Sequence, residues 1–380
     1  MALLRPDASQ VVTWQGGSAG LASPRWLGEI GYVTGLVYSF ACPGGPDQLT
    51  CNLEVDARYR TDALDPGRIV QVYRGASLVW DGKLDEAQPS AAGWHVTAHG
   101  AGNFGTDFTA TYSGTWPTGL PDSAVNDAIT RGLRWNNPGI GSPSGLFLGT
   151  PVDSGAQTVT DLLNLCTSQG GLTWYVNCRP VRNILSVFPL PTAVNRLLVS
   201  GTPVGRTLGG DFNTIKLRYQ ATADSTTGTG AVATFAVTTA VSQASIDKHG
   251  PMEAYEDLSS AGVMSAAAAQ AIGASVLLRY NRASFSGPFT VGPGELLNAG
   301  GVPVDLGSEQ AGTVVRLILT DFAYGGEVTP VPITFLVGGY SYDDDAQAAT
   351  VTPFQYLSTN FASLLSAAVT RLPGVHTPAL

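Results

Sequence analysis

The residues of this sequence that could do chemistry each lack a companion that the chemistry needs. Gly16-Gly17-Ser18-Ala19-Gly20 fits the G-x-S-x-G pattern of a serine nucleophile. Such an elbow needs a buried strand before the serine and a helix after it. Leu21-Ala22-Ser23-Pro24 cannot start a helix of useful length, so the stretch reads as a Gly-Ser linker. Gly100-Ala101-Gly102-Asn103-Phe104-Gly105 fits G-x-G-x-x-G and follows a strand-like run. The next residues, Thr106 to Tyr112, are β-type, so no helix N-terminus is offered to a pyrophosphate. A domain-boundary turn is the better reading, and Asp122 beyond it reads as a helix cap.

The four histidines are His95, His99, His249 and His376. His95 and His99 fall on one face of a strand, but four strand residues span about 13 Å. Ligands of one zinc ion lie only about 2 Å from it, so this pair alone cannot share a metal. His249, before Gly250, reads as a turn residue, with no Ser, Cys or acid arrangement to make it a base. Asp343-Asp344-Asp345 lacks the D-x-D-x-D-G loop and closing Glu of a calcium site and reads as a hairpin turn. Trp116, Trp135 and Trp174 are spaced too unevenly for a sugar platform and read as packing residues. Of the four cysteines, Cys42, Cys51, Cys166 and Cys178, no pair has C-x-x-C spacing. Cys42 and Cys51 flank a Pro-Gly turn that could bring them together, but buried thiols fit a reducing compartment better. No residue is assigned as catalytic, cofactor-binding or metal-binding, and no cofactor or enzyme activity is expected.

The elements around these residues are mostly strands. Arg68 to Gly75, Ala76 to Gly82 and Trp94 to Gly100 are short runs rich in Val, Ile, Tyr and Trp, cut apart by Gly, Pro and Ser clusters. Trp94, Val96 and Ala98 share one face of the last run, His95, Thr97 and His99 the other. Together they predict a β-meander, half of a small barrel. Pro66-Gly67-Arg68-Ile69-Val70-Gln71-Val72 is matched in order and spacing by Ala311-Gly312-Thr313-Val314-Val315-Arg316-Leu317, which suggests an internal duplication.

The fold class expected is mainly β with α+β insertions, with two similar β-barrels related by pseudo-duplication. Residues 1–28 read as an extended arm and 29–105 as the first barrel. Residues 106–206 read as a separate α+β domain, with helices after Asp122 or Ser123 and at the capping box Thr158-x-x-Asp161. Residues 207–240 and 302–352 read as further strands, 241–301 as an Ala-rich helical insertion, and 353–380 as a C-terminal helix and tail.

The 380 residues carry a net charge of −9, with only three lysines and no basic block, which excludes ordinary nucleic-acid binding. Only 13% of residues are charged, so much of the exterior is expected to be interface. No apolar run approaches the roughly 20 residues of a membrane span, and Met1 to Pro6 lacks a signal-peptide stretch. Synthesis in a cytoplasm without membrane insertion is expected.

The run from Asp65 to Gly75, then Leu78-Val79-Trp80-Asp81-Gly82-Lys83-Leu84-Asp85 and Gly93-Trp94, resembles minor tail proteins of siphophages infecting actinobacteria. So does Asp211-Phe212-Asn213-Thr214-Ile215 with the later Ser245 to Gly250. The resemblance covers about Ile30 to Pro353 and points to the tail-tip hub. It implies two tube-like β-barrel domains per chain, 29–105 and a discontinuous 207–240 with 302–352, with 106–206 and 241–301 as outer α+β lobes. It also implies a homotrimer that adapts the sixfold tail tube and distal tail ring to a threefold tip and forms the DNA channel or its plug. Implied partners are further copies of itself, the distal tail protein ring, the tape measure protein, and other minor tail proteins or a central fibre. Genomic DNA would meet it only in passing through the lumen. A carbohydrate-binding adhesin at the tip, or a cell-wall hydrolase, are the alternatives.

Overall fold

The computed structural model describes residues 9–15, 25–30, 33–53, 64–90, 93–112, 120–139, 155, 157–169, 172–189, 191, 193–200, 206–207, 212–221, 234–257, 288–319 and 333–354, with scattered positions from 266 to 285. The fold is mainly β with small α+β parts, as expected from the sequence. The chain divides into two compact units, 1–146 with 152–203 and 287–354, and 147–151 with 204–286 and 355–380.

In chain order the first unit begins with β1 (Ser9–Gln15), β2 (Arg25–Ile30), β3 (Val33–Ala41) and β4 (Gly45–Leu53). The meander follows: β5 (Ile69–Arg74), β6 (Ser77–Ser90) and β7 (Gly93–Gly100). Val96 and Ala98 are buried while His95 is exposed, the alternation that the sequence predicts. Beyond it come α1 (Leu120–Thr130), β8 (Trp135–Asn136), α2 (Val159–Gln169), β9 (Leu172–Asn177), β10 (Asn183–Pro189) and β11 (Arg196–Ser200). The second unit holds β12 (Arg206–Thr207), β13 (Thr214–Ala221), β14 (Thr234–Val241), α3 (Gln243–His249), β15 (Glu253–Asp257) and β16 (Ser284–Phe285). The chain then returns to the first unit with β17 (Phe289–Val291), β18 (Leu296–Asn298), β19 (Val314–Leu319), β20 (Ile333–Asp343) and β21 (Ala348–Pro353).

The main sheet of the first unit runs β18-β11-β19-β20-β3-β4-β7-β6-β5-β1-β2, with β21 and β17 branching from β20. The long strands do the bending. The first residues of β6 pair with β5 and the rest with β7. In the same way β20 pairs first with β19, then with β3 and β21. β19, β20 and β21 thus form a second three-stranded meander with a long middle strand. The grouping differs from the sequence reading. Residues 314–353 join the sheet of the first meander, whereas 214–221 and 234–241 pair with each other and with 253–257 in the second unit. Strand partners are set by long-range register, which sequence order does not carry.

Other boundaries shift for similar reasons. The expected arm holds a hairpin, β1–β2, that extends the sheet beyond β5. The outer α+β lobe ends before Arg196, because β11 pairs parallel with β19. The expected helical insertion ends before β17 and β18, which belong to the main sheet, and it contains β15. The C-terminal helix proposed for 353–380 lies almost wholly outside the described residues.

The core of the main sheet is aromatic. Tyr38 faces Tyr342 and Phe40 faces Tyr340 across β3 and β20, with ring centroids 5.4 and 6.4 Å apart. Their hydroxyls do not stay unpaired: Tyr38 donates to the Gly307 carbonyl at 2.6 Å and Tyr340 to the Leu306 carbonyl at 2.7 Å. A 3-10 turn, Leu306–Ser308, thus lids the ladder. In the lobe, Trp135 and Trp174 are buried with centroids 5.9 Å apart, their indole N–H groups donating to Ala101 and Asn164. They are packing residues, as their spacing suggests; Trp116 lies outside the described residues.

Candidate functional site

The glycine motif at 100–105 forms a 3-10 turn, Ala101–Asp107, which takes in Thr106 and Asp107 from the run expected to be β-type, and extended backbone at Phe108, not a helix, directly follows it. A Cβ on Gly100 would lie 2.2 Å from the Pro46 carbonyl group, one on Gly102 2.8 Å from the Pro46 oxygen, and one on Gly105 2.6 Å from Thr160 Oγ1. The glycines let the turn lie against β4 and α2, so close packing explains them. Thr158 and Asp161 form the reciprocal capping box: Asp161 N–H donates to Thr158 Oγ1 at 3.1 Å, Thr158 N–H to the Asp161 carboxylate at 3.3 Å. Asp122 lies inside the first turn of α1, which starts two residues earlier, at Leu120, and it accepts from Asn137 Nδ2 at 2.9 Å. The serine motif at 16–20 and His376 lie outside the described residues.

Each described histidine has its own neighbours. His95 Nδ1 is 2.9 Å from Asn52 Oδ1. His99 Nδ1 pairs with the Asp85 carboxylate, and its Nε2 is 3.8 Å from Asp107, which also holds Lys83 at 2.8 Å. His249 ends α3, and Gly250 after it takes φ +77; the sequence reading missed this short helix. In Asp343-Asp344-Asp345 every carboxylate is taken by the protein. Asp343 accepts the backbone N–H groups of Asp345 and Ala346, Asp344 holds Arg74 at 3.0 Å, and Asp345 accepts Gly35 N–H at 2.7 Å. Among the described residues no group of three or more His, Cys, Asp or Glu is placed to hold a metal. Cys42, Cys51 and Cys178 are free and buried. Burial pushes the Cys51 thiol up to about 12 and raises the other two, which disfavours the reactive thiolate.

Two polar clusters that no local motif announces hold the first unit together. At the end of β5, Arg74 donates to both Asp305 oxygens at 2.9 and 2.8 Å, to Asp344 at 3.0 Å, and stacks over Tyr342 at 5.3 Å from the ring centroid. This closes one end of the curled sheet onto the turn between β20 and β21. Between sheet and lobe lies Asp81, fully buried on β6. It accepts from Gln71 at 2.8 Å and from Asn183 at 2.6 Å, with the Arg134 guanidinium 3.6 Å away. Burial pushes its carboxyl above the usual range, against the opposing pull of Arg134, Asn183 and Gln71.

The second unit presents a different surface. In the sheet β14-β13-β15, Ile215, Leu217 and Ala240 are buried. Positions 266, 269–270, 273–274 and 277 are helical, with Ala269 and Leu277 buried. A Cβ on Gly273 would lie 2.8 Å from Ala240 and 3.1 Å from Leu217, so the helical backbone at Gly273 packs closely on that face. The opposite face carries Phe235, Val237 and Val241 on β14 and Tyr255 on β15, all about half exposed. Charge is balanced across it. Lys216 pairs with Glu253 at 2.7 Å, Arg218 with Asp257 at 2.6 Å, and the Arg218 guanidinium lies 4.3 Å from the Phe235 ring centroid.

No protein-family model matches the chain, and no curated protein matches it. Solved structures do. The prophage tail protein gp18 of Listeria monocytogenes EGD-e superposes with a TM-score of 0.57 at 12% identity, over 96% of this chain and 99% of that one. The prophage MuSo2 43 kDa tail protein of Shewanella oneidensis gives 0.52 at 13% identity, over 91% and 98%. A tail protein from Neisseria meningitidis MC58 gives 0.52 at 13%, over 90% and 94%. At such identities the likeness is one of fold, and the fold of this chain is that of prophage tail proteins, nearly end to end.

Proposed function

We propose that the chain is a non-enzymatic structural protein of a phage tail tip, a homotrimeric hub between the sixfold tube and a threefold tip. Its neighbours are further copies of itself, the distal tail ring, the tape measure protein, and other minor tail proteins or a central fibre. The observation that carries the reading is the two-way coverage of tail proteins, 96% of this chain and 99% of gp18. A module borrowed by an unrelated protein would match in one direction only.

Two features support the finer reading. The repeated meander, β5-β6-β7 and β19-β20-β21, gives one chain two similar three-stranded elements, which suits three copies meeting a sixfold ring. Charge is also unevenly divided: the first unit holds 23 acidic and 13 basic residues, the second 6 and 7. If the acidic unit lines the channel, it repels phosphates and lets DNA slide without adhering. Gold-labelled antibody against this chain should mark one end of the phage tail, distal to the capsid. Particles that carry no label, or carry it along the tube, would contradict the reading.

A further inference from the structure

β14 is built inside out. Its sequence, Thr-Phe-Ala-Val-Thr-Thr-Ala-Val, alternates large apolar residues with small ones, and the usual expectation is that the large ones turn inward. Here Ala240 faces the interior, where the close approach of Gly273 demands a small neighbour, and Phe235, Val237 and Val241 point outward. With Tyr255 they make four of the seven exposed large apolar side chains among the described residues, and all four share one sheet face. Scattered apolar side chains are ordinary on a protein surface; a cluster on one flat face marks a contact.

Charge indicates what covers it. The whole chain is at −9, so two copies repel over most of their surfaces. Segment 204–286 holds six basic and six acidic residues, and on the face itself Lys216 and Arg218 are matched by Glu253 and Asp257. A like chain can approach there without a charge penalty. Among the described residues β14 pairs only with β13, and it carries no Pro and no charge to blunt pairing at its edge.

We propose that the β13–β15 face, centred on Val237, is where a second copy of this chain docks. This rests on the oligomeric hub reading and names its contact. The purified full-length chain should sediment as a multiple of its 39.4 kDa, and Val237→Lys should reduce it to a single chain. The far-UV circular dichroism should stay unchanged. Val181→Lys, at an isolated exposed position in the other unit, should leave the assembly intact. Should Val237→Lys fail to fold, hydrogen exchange of the unaltered chain decides: protection of 234–241 should rise with protein concentration. An unaltered chain that stays monomeric, a Val237→Lys chain that assembles normally, or protection independent of concentration would each overturn the proposal. Those results leave the tail reading standing if label still marks the tail end. Absence from particles, with assembly still lost in Val237→Lys, would sink the tail reading alone.

Discussion

Arg74 and Asp305 are joined by two hydrogen bonds, of 2.9 and 2.8 Å, across 231 residues of chain. The Arg74 side chain is only 5% exposed, and the Asp344 carboxylate and the Tyr342 ring share it. A lysine cannot reproduce this two-pronged grip. Removing one partner of a buried pair costs about 3–5 kcal/mol, and water reaching Asp305 lowers that here. Arg74→Ala should therefore cost about 2 kcal/mol in urea unfolding, and Arg74→Lys a smaller part of it. An Arg74→Ala chain as stable as the parent would refute the closing role.

Acid stability should carry two opposite signatures. Burial raises the Asp305 carboxyl, but hydrogen bonds from Ser308, Arg74 and the Gly307 N–H outweigh it and hold the group below its usual range. A folded value below the unfolded one, about 3.9, gives stability that is fully present above it and lost as pH falls through the folded value. Asp81 is shifted the other way by burial. Its contribution is fully present below about pH 3.9 and is lost as pH rises through its raised folded value. Asp305→Asn should flatten the acid limb of stability against pH, and Asp81→Asn the slope just above it. Unfolding free energies measured across that range check both.

Gly100→Ala tests what the glycine motif is for. Its new Cβ would lie 2.2 Å from the backbone carbonyl of Pro46, which cannot swing aside like a side chain. A loss of about 3 kcal/mol or more is expected, at the upper end for overpacking. Gly292→Ala, whose Cβ would meet only Glu295 at 3.5 Å, should cost little. Added nucleotide should leave the melting temperature of the parent chain unchanged; a rise would restore the nucleotide-binding reading.

Thiol reagents should find Cys42, Cys51 and Cys178 inert in the folded chain. All three are buried and their thiols are raised, Cys51 to about 12. At about pH 8, labelling should appear at these positions only with denaturant. Rapid native labelling of Cys51, located by peptide mapping, would contradict the packing of β4.

Local signals are legible in this sequence and long-range ones are not. The capping box of Thr158 and Asp161, the Asp343 turn and the β5-β6-β7 meander each depend on residues a few positions apart, so spacing reveals them. Arg74 and Asp81 carry no such mark. Their partners, Asp305 and Asn183, lie 231 and 102 residues away, and nothing near Asp81 announces a buried carboxylate. The same limit misgrouped 207–240 with 302–352, since both are genuine strands and only pairing separates them. β14 misleads in another way: its alternation shows two faces, but the side that turns inward was decided by the close approach of Gly273.

The central claim is that three copies of this chain form the hub at the end of a phage tail. A cryo-electron reconstruction of that end, computed without imposed symmetry, tests it most directly. The account predicts three copies about the tube axis, with 33–100 and 314–353 forming one continuous sheet in each. A tip with no density matching this chain, or with a single off-axis copy, would contradict it.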